Sequence, residues 1–368
     1  MQSVPLKKIV VAMSGGVDSS VVAALLKDKG FDVIGLTMRI SSCLNRSSFK
    51  GKDPSKNCCN FEGMKDAAKI ARKIKIPHYI ADVSKQFNKK VIQDFLKQYA
   101  HGKTPNPCIK CNQFIKFGEL FSIARKLGAD CIATGHYARI ISDKKTKKLI
   151  LKKAKDNSKD QSYVLYPIAY RKLKNILFPL GGIKKEFVRQ IAQAKKLGVA
   201  KKKESQEICF IPKNDYREFF RENAPGAAKP GLIVNEKGKV IGKHAGIAFY
   251  TIGQRKGLGI SHDVPAYVLD INYKRNIIRV GPEKMLFKKK MLVKNINWFS
   301  DRVMPSHFSS EVKIRYKHKA QKANIFVKKN KTAEVVFNDP QKAITPGQSA
   351  VFYKADTLLG GGIIMKAY

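Results

Sequence analysis

Acidic residues are scarce in this chain: 28 Asp and Glu stand against 72 Lys and Arg, a net charge of +44 over 368 residues. Such a surface attracts a polyanion through phosphate contacts and counterion release, and nucleic acid is the leading partner. Lysines scattered over solvated faces are the alternative for the excess taken alone. No run approaches about 18 consecutive apolar residues, which excludes a membrane-spanning helix. The opening MQSVPLKK has no apolar signal region and leads straight into a core-like strand, so the expected location is the cytoplasm. Cysteines number seven, an odd count without a secretory signal. That argues against a disulfide scaffold and leaves free, catalytic or metal-bound thiols. There is no internal repeat and no low-complexity segment beyond lysine clusters. The spacing GxxxxGK[ST] is absent too, which excludes a P-loop.

What is present begins with KKIVVAMSGGVDSSVVAALLKDKG. The β-branched run from Ile9 to Met13 predicts a strand. Val21, Val22, Leu25 and Leu26 predict a helix from Ser19 to Lys29, stopped at Gly30. Between them, Ser14, Gly15 and Gly16 leave backbone N–H groups bare at a helix N-terminus, which is an anion cradle suited to phosphate.

Further strands are expected from Phe31 to Met38, His78 to Asp82 and Asp130 to Thr134, with helices around Glu62 to Ile74 and Phe117 to Leu127. This alternation predicts an α/β domain with a parallel sheet and ligands at the strand C-terminal ends. The stretch from Ser41 to Lys56 reads as a polar loop, and a helix from Lys184 to Leu197 ends at Gly198. After Ala224 the texture changes to short strands with turn signals, as in LIVN-EKGK-VIG and AYVLDIN-YKRN-IIRVG, and alternation continues through EVKIRYKHK, NIFVKK, AEVVF and SAVFY. The expected division is 1–224, an α/β domain; 225–288, a small β-rich domain; and 289–368, a β-barrel.

Two cysteine sites stand out, TPNPCIKCN and ESQEICFIP. The first is a CxxC ahead of a helix, where the helix dipole and nearby lysines are expected to lower a thiol pKa. A second CxxC is missing and Cys58 and Cys59 are adjacent, which argues against structural zinc; Cys43 and Cys131 read as loop and core residues.

SGGVDSS resembles the PP-loop of enzymes that split ATP between its α and β phosphates. SGGVDSS, TPNPxxxCN, ATGHYAR, KDQSYVL, ICFI, YTIGQRKGLGI and TPGQSAVFY occur together in the order of the tRNA-specific 2-thiouridylase family, over nearly the whole chain. The resemblance implies a Rossmann-like PP-loop domain, a small central domain and a C-terminal β-barrel that binds tRNA. It implies an ATP-dependent sulfurtransferase that adenylates the C2 oxygen of the wobble uridine (U34) and replaces it with sulfur, releasing AMP and pyrophosphate.

By that resemblance ATP is held by Ala12, Met13, Ser14, Gly15, Gly16, Val17, Asp18 and Ser19, with Asp18 placing Mg2+, and by Met38 and Gly135 at the adenosine end. Cys209 takes sulfur as a persulfide and Cys111 is the nucleophile, with a transient Cys111 to Cys209 disulfide as one outcome. Asn106, Pro107 and Cys108 meet the target base, which must leave its stack. His136, Lys159, Asp160, Gln161, Arg315, Tyr316 and Gln348 correspond to tRNA contacts. Partners implied are tRNA and a cysteine desulfurase or sulfur-relay protein as persulfide donor, acting on a monomer. One position departs from the family: many members carry aspartate where this chain has Cys108. Cys108, Cys111 and Cys209 are therefore also read as ligands of a 4Fe-4S cluster. Another PP-loop ligase, and a non-catalytic RNA-binding protein, are the competing readings; the two cysteine sites oppose the first and the intact SGGVDSS opposes the second.

Overall fold

β-Branched residues after Lys8 form the central strand of a five-stranded parallel sheet. A computed structural model describes residues 7–40, 61–144, 146–202, 208–211, 215–260, 265–300 and 303–368. The polar stretch from Ser41 to Lys56, Cys43, Cys58, Cys59, and residues 203–207 and 212 in and just before the second cysteine motif lie outside them. The chain divides into two compact units, residues 1–90, 108–210 and 356–358 in the first and 91–107, 211–355 and 359–368 in the second.

In the first unit, β1 (Lys8–Ala12), β2 (Asp32–Arg39), β3 (His78–Asp82), β4 (Cys131–Ala133) and the later β7 (Ile176–Leu177) pair in the order β3-β2-β1-β4-β7. All four pairings are parallel, as the βα alternation predicts. Helix α1 (Val17–Asp28) buries Val21, Val22 and Leu26 against Ile9, Val11 and Val33. It stops where expected: Gly30 takes φ +82, its N–H bonds to the Lys27 carbonyl, and that of Phe31 bonds to Leu26. This Schellman closure needs a residue without Cβ strain. Helix α2 (Phe61–Lys73) packs Ala67, Ile70 and Ala71 into the same core.

Two features of this unit differ from the sequence reading. An antiparallel hairpin, β5 (Ala138–Ser142) with β6 (Leu149–Lys153), follows the ATGHY turn. The helix expected near Phe117 starts ten residues earlier, at Pro107, whose missing N–H suits a first helical position. It continues as a π-helix over Cys111–Glu119 and an α-helix over Leu120–Lys126.

In the second unit, β8 (Gly231–Val234), β9 (Val240–His244), β10 (Tyr267–Asn272) and β11 (Ile277–Gly281) form a sheet ordered β10-β11-β8-β9 around Ile233, Val268, Ile278 and Val280. Six further strands, β12 (Phe287–Trp298), β13 (His307–Lys313), β14 (Gln321–Lys328), β15 (Thr332–Lys342), β16 (Ser349–Lys354) and β17 (Thr357–Ala367), run β12-β15-β14-β13-β16-β17. The pairing of β12 with β17 closes them into a barrel that leaves no free edge and encloses Met291, Val293, Ile325, Val335 and Phe352. The segment 91–107 also belongs to this unit. Its helix Gln93–Ala100 sets Tyr99 and Phe95 against Phe220 with ring centroids 5.3 and 5.8 Å apart, pairs worth about 0.5–1.5 kcal/mol each beyond area burial.

Candidate active site

The parallel sheet puts the ends of β1, β2 and β4 along one edge of the first unit. There a cavity of about 200 Å³ is lined by Ala12, Met13, Ser14, Asp18 and Ser19 from the first βα turn, by Leu36 and Met38 from β2, and by Thr134, Gly135 and His136 after β4. Gln161 and Lys116 complete it. Most of the expected nucleotide residues therefore share one cavity, and His136 and Gln161, read from the resemblance as tRNA contacts, line it too.

The turn is held by its own serines. Ser19 Oγ accepts from the Ser14 N–H at 3.1 Å and donates to the Gly16 carbonyl at 3.2 Å, and Ser20 Oγ donates to the same carbonyl at 2.8 Å. Gly15 has φ +71, and a Cβ there would lie 2.1 Å from the Gly63 carbonyl oxygen of α2. Gly15 thus supports the cradle from behind, and Val17 is core rather than lining. The Lys202 ammonium donates to the Gly15 carbonyl at 3.1 Å and to Asp66 at 2.6 Å. Gly135 presses on the first turn of α1, where a Cβ would sit 2.9 Å from Asp18 Cβ.

Asp18 points into this arrangement under heavy restraint. Lys185, only 8% exposed, donates to its Oδ1 and Oδ2 at 2.7 and 2.8 Å, and the Tyr137 hydroxyl donates to Oδ1 at 2.7 Å. The expectation that Asp18 places Mg2+ meets a difficulty here. An ammonium already spans both oxygens, so this donor set does not fit a divalent ion as it stands. Neither Lys185 nor Lys202 was singled out from the sequence. They lie 167 and 187 residues from the groups they bind, and no spacing rule joins them.

His136 is buried and bonded on both sides. Its Nδ1 lies 2.7 Å from Thr134 Oγ1 and its Nε2 lies 3.3 Å from Lys116 Nζ. An ammonium can only donate, so Nε2 accepts and Nδ1 carries the proton. Burial, with the Lys116 charge in second place, holds its pKa well below the usual histidine value of 6.5.

Lys116 also acts on Cys108 and Cys111. Cys108 is exposed and Cys111 half-buried. Desolvation pushes the Cys111 thiol up to about 11 and the Cys108 thiol upward as well, while Lys116 opposes both shifts. The expected lowering is not found, because desolvation outweighs the nearby charge. Cys209 is exposed on a short turn whose next residue, Phe210, packs edge-on to Phe87 at 5.8 Å. Among the described residues no three Cys, His, Asp or Glu side chains gather to hold a metal, so Cys108, Cys111 and Cys209 do not present a cluster ligand set.

The KDQ motif is structural in its contacts. Asp160 accepts from the N–H groups of Ala154 and Ser162 at 3.1 and 3.2 Å. Gln161 Oε1 accepts from the Tyr137 N–H at 2.9 Å and so fixes the turn at the cavity, and Lys159 is half-buried beside it. In the second unit, Gln348 donates to the Thr104 carbonyl at 2.7 Å and steadies the TPN loop ahead of Asn106 and the buried Pro107. Arg315 and Tyr316 lie exposed just past β13.

Three family models match in chain order: a tRNA methyl transferase HUP domain over residues 7–213, a tRNA methyl transferase PRC-barrel domain over 218–282 and an aminomethyltransferase beta-barrel domain over 288–364. Curated relatives match at nearly full length. The tRNA-specific 2-thiouridylase MnmA 2 of Thermoanaerobacter sp. (strain X514) is 48% identical over 357 residues, 97% of each chain. MnmA 1 of Caldanaerobacter subterraneus subsp. tengcongensis is 46% identical over 98% of each chain. MnmA of Clostridioides difficile (strain 630) is 43% identical over 98% of this chain and 99% of its own length. With this cavity and a CxxC pair meeting at Lys116 in the first unit, and identity of this extent across both, the chain belongs to the tRNA-specific 2-thiouridylase family.

Proposed function

We propose that this chain uses ATP to convert the wobble uridine (U34) of tRNA to 2-thiouridine. The uridine O2 attacks the α-phosphorus of ATP, the bond to the β-phosphate breaks and pyrophosphate leaves. A sulfur nucleophile then adds at C2, the C2–O bond breaks and AMP departs with the electron pair. The sulfur comes as a persulfide on Cys209, delivered by a cysteine desulfurase or a sulfur-relay protein. Its terminal sulfur attacks C2, and the Cys111 thiolate attacks the inner sulfur. This breaks the S–S bond and leaves a Cys111 to Cys209 disulfide, which an external thiol reductant returns to two thiols.

The observation that carries this reading is Lys116, which lines the nucleotide cavity and acts on the thiols of Cys108 and Cys111. One cation thus adjoins both halves of the reaction. Asn106, Pro107 and Cys108 frame the extruded base, and Lys159, Arg315 and Tyr316 meet the tRNA. The division at 224/225 and 288/289 then assigns catalysis to the first part and tRNA binding to the barrel. The products of ATP cleavage test the reading: AMP and pyrophosphate, formed only with tRNA substrate, are expected, and ADP with orthophosphate would overturn it.

A further inference from the structure

The loop sequence has no lysine of the kind a P-loop carries, but the fold brings one to it. Lys185 opens the helix Lys185–Ala194, and its own N–H donates to Asp156 Oδ2 at 3.0 Å. Val188 and Ala192 of that helix are buried in the core that holds α1. The ammonium therefore reaches Asp18 from a rigid element. Lys185 is 8% exposed and Asp18 half-buried, and with both Asp18 oxygens within 2.8 Å of the ammonium the pair is closely held.

We propose that Lys185 is a charge-balancing and positioning residue of the nucleotide site: it cancels the Asp18 carboxylate that faces the cavity, so that the cradle accepts a polyphosphate without a divalent ion at Asp18. The inference rests on the reading of the cavity as the ATP site. Asp18 is the second residue of α1, where a negative charge complements the helix dipole but repels an incoming triphosphate. A lone carboxylate there would offset the attraction of the helix N-terminus for phosphate. Paired with Lys185 and bonded to Tyr137, it becomes a neutral strut that orders the first turn of α1 against the Thr134 to Tyr137 turn. Lys185 thus acts through Asp18, whereas a P-loop lysine acts on the phosphates themselves.

The test compares full-length wild type with Lys185→Met, Asp18→Asn and the double variant. The probe is α,β-methylene-ATP, which cannot be cleaved between the α and β phosphates, titrated by calorimetry with and without Mg2+. Lys185→Met should weaken binding by about tenfold or more, because it leaves the cavity-facing Asp18 carboxylate uncompensated beside the incoming phosphates. The double variant, lacking both charges, should return to within about threefold of wild type, since the two effects are coupled. In Asp18→Asn the ratio of affinities with and without Mg2+ should match that of wild type. A double variant as weak as Lys185→Met would overturn the proposal and make Lys185 a direct phosphate ligand. Loss of the Mg2+ effect in Asp18→Asn alone would overturn it by making Asp18 a metal ligand. If Lys185→Met fails to fold, the double variant still decides, because recovery of both folding and binding is expected only from charge balance. Wild type that binds no nucleotide would instead overturn the assignment of the cavity.

Discussion

Lys116 donates to His136 Nε2 across 3.3 Å, an ammonium bonded to a neutral imidazole inside the cavity at the ends of β1, β2 and β4. The lysine is held by a ring that cannot easily take a proton, and the ring is held by Thr134 on its other side. Its charge remains directed at the cavity and at the two thiols beyond.

Stability should therefore fall in mild acid. Burial keeps the folded His136 neutral well below 6.5, while the unfolded ring takes up a proton near 6.5. The stability it contributes is present above 6.5 and is lost as pH falls below that value, by up to about 1.4 kcal/mol per pH unit. His78, also lowered by burial, contributes in the same direction. Urea unfolding at pH 7.5 and 5.5 should show the drop, and His136→Gln should reduce it; an equal drop in that variant would show that His136 is not the source.

Gly15→Ala should cost at least about 2 kcal/mol, combining a left-handed backbone with a clash against backbone. The Cβ would stand 2.1 Å from the Gly63 carbonyl, which belongs to a helix and cannot step aside. ATP binding should be lost with it. A variant of unchanged melting temperature that still binds ATP would mean the loop is free to shift.

Cys209→Ala should separate activation from sulfur delivery. Adenylation of tRNA, followed as tRNA-dependent pyrophosphate release, should persist while thiouridine formation ends. Nucleoside analysis by mass spectrometry reads the second half, and thiouridine made by this variant would remove Cys209 from the mechanism.

Cys108→Asp tests the departure at TPNPC. With sulfur passing through Cys209 and Cys111 alone, the variant should thiolate tRNA in air and contain no iron. If the parent works only after anaerobic iron–sulfur reconstitution and the variant loses iron absorbance and activity together, a cluster is the sulfur carrier, since a carboxylate is a harder ligand than a thiolate.

Binding of tRNA should be strongly salt-dependent, given the net charge of +44. Engagement of about six or more phosphates predicts a loss of roughly a thousandfold between 50 and 200 mM salt. A flat response would assign the lysines to solvated surface.

Much of the fold was legible because its signals are local. The β-branched run after Lys8, the apolar spacing in α1 and the Gly30 stop each depend on neighbours a few residues away, and β1, α1 and the Schellman turn follow them closely. The motif string, being a matter of order and residue identity, reached the family without coordinates. What stayed hidden depends on long-range encounter and on burial. The segment 91–107 packs with Tyr216 and Phe220 instead of with the sheet that precedes it, which no local period encodes. The thiols beside Lys110 and Lys116 read as acidified, yet desolvation, a property of everything packed around them, raises them. The sequence alone determined that a Gly- and Ser-rich turn joins β1 to α1 and that it lacks a P-loop lysine. Only tertiary structure decided that Lys185, 167 residues away, spans the Asp18 carboxylate, because a buried charge takes its partner from whichever segment the core brings within reach.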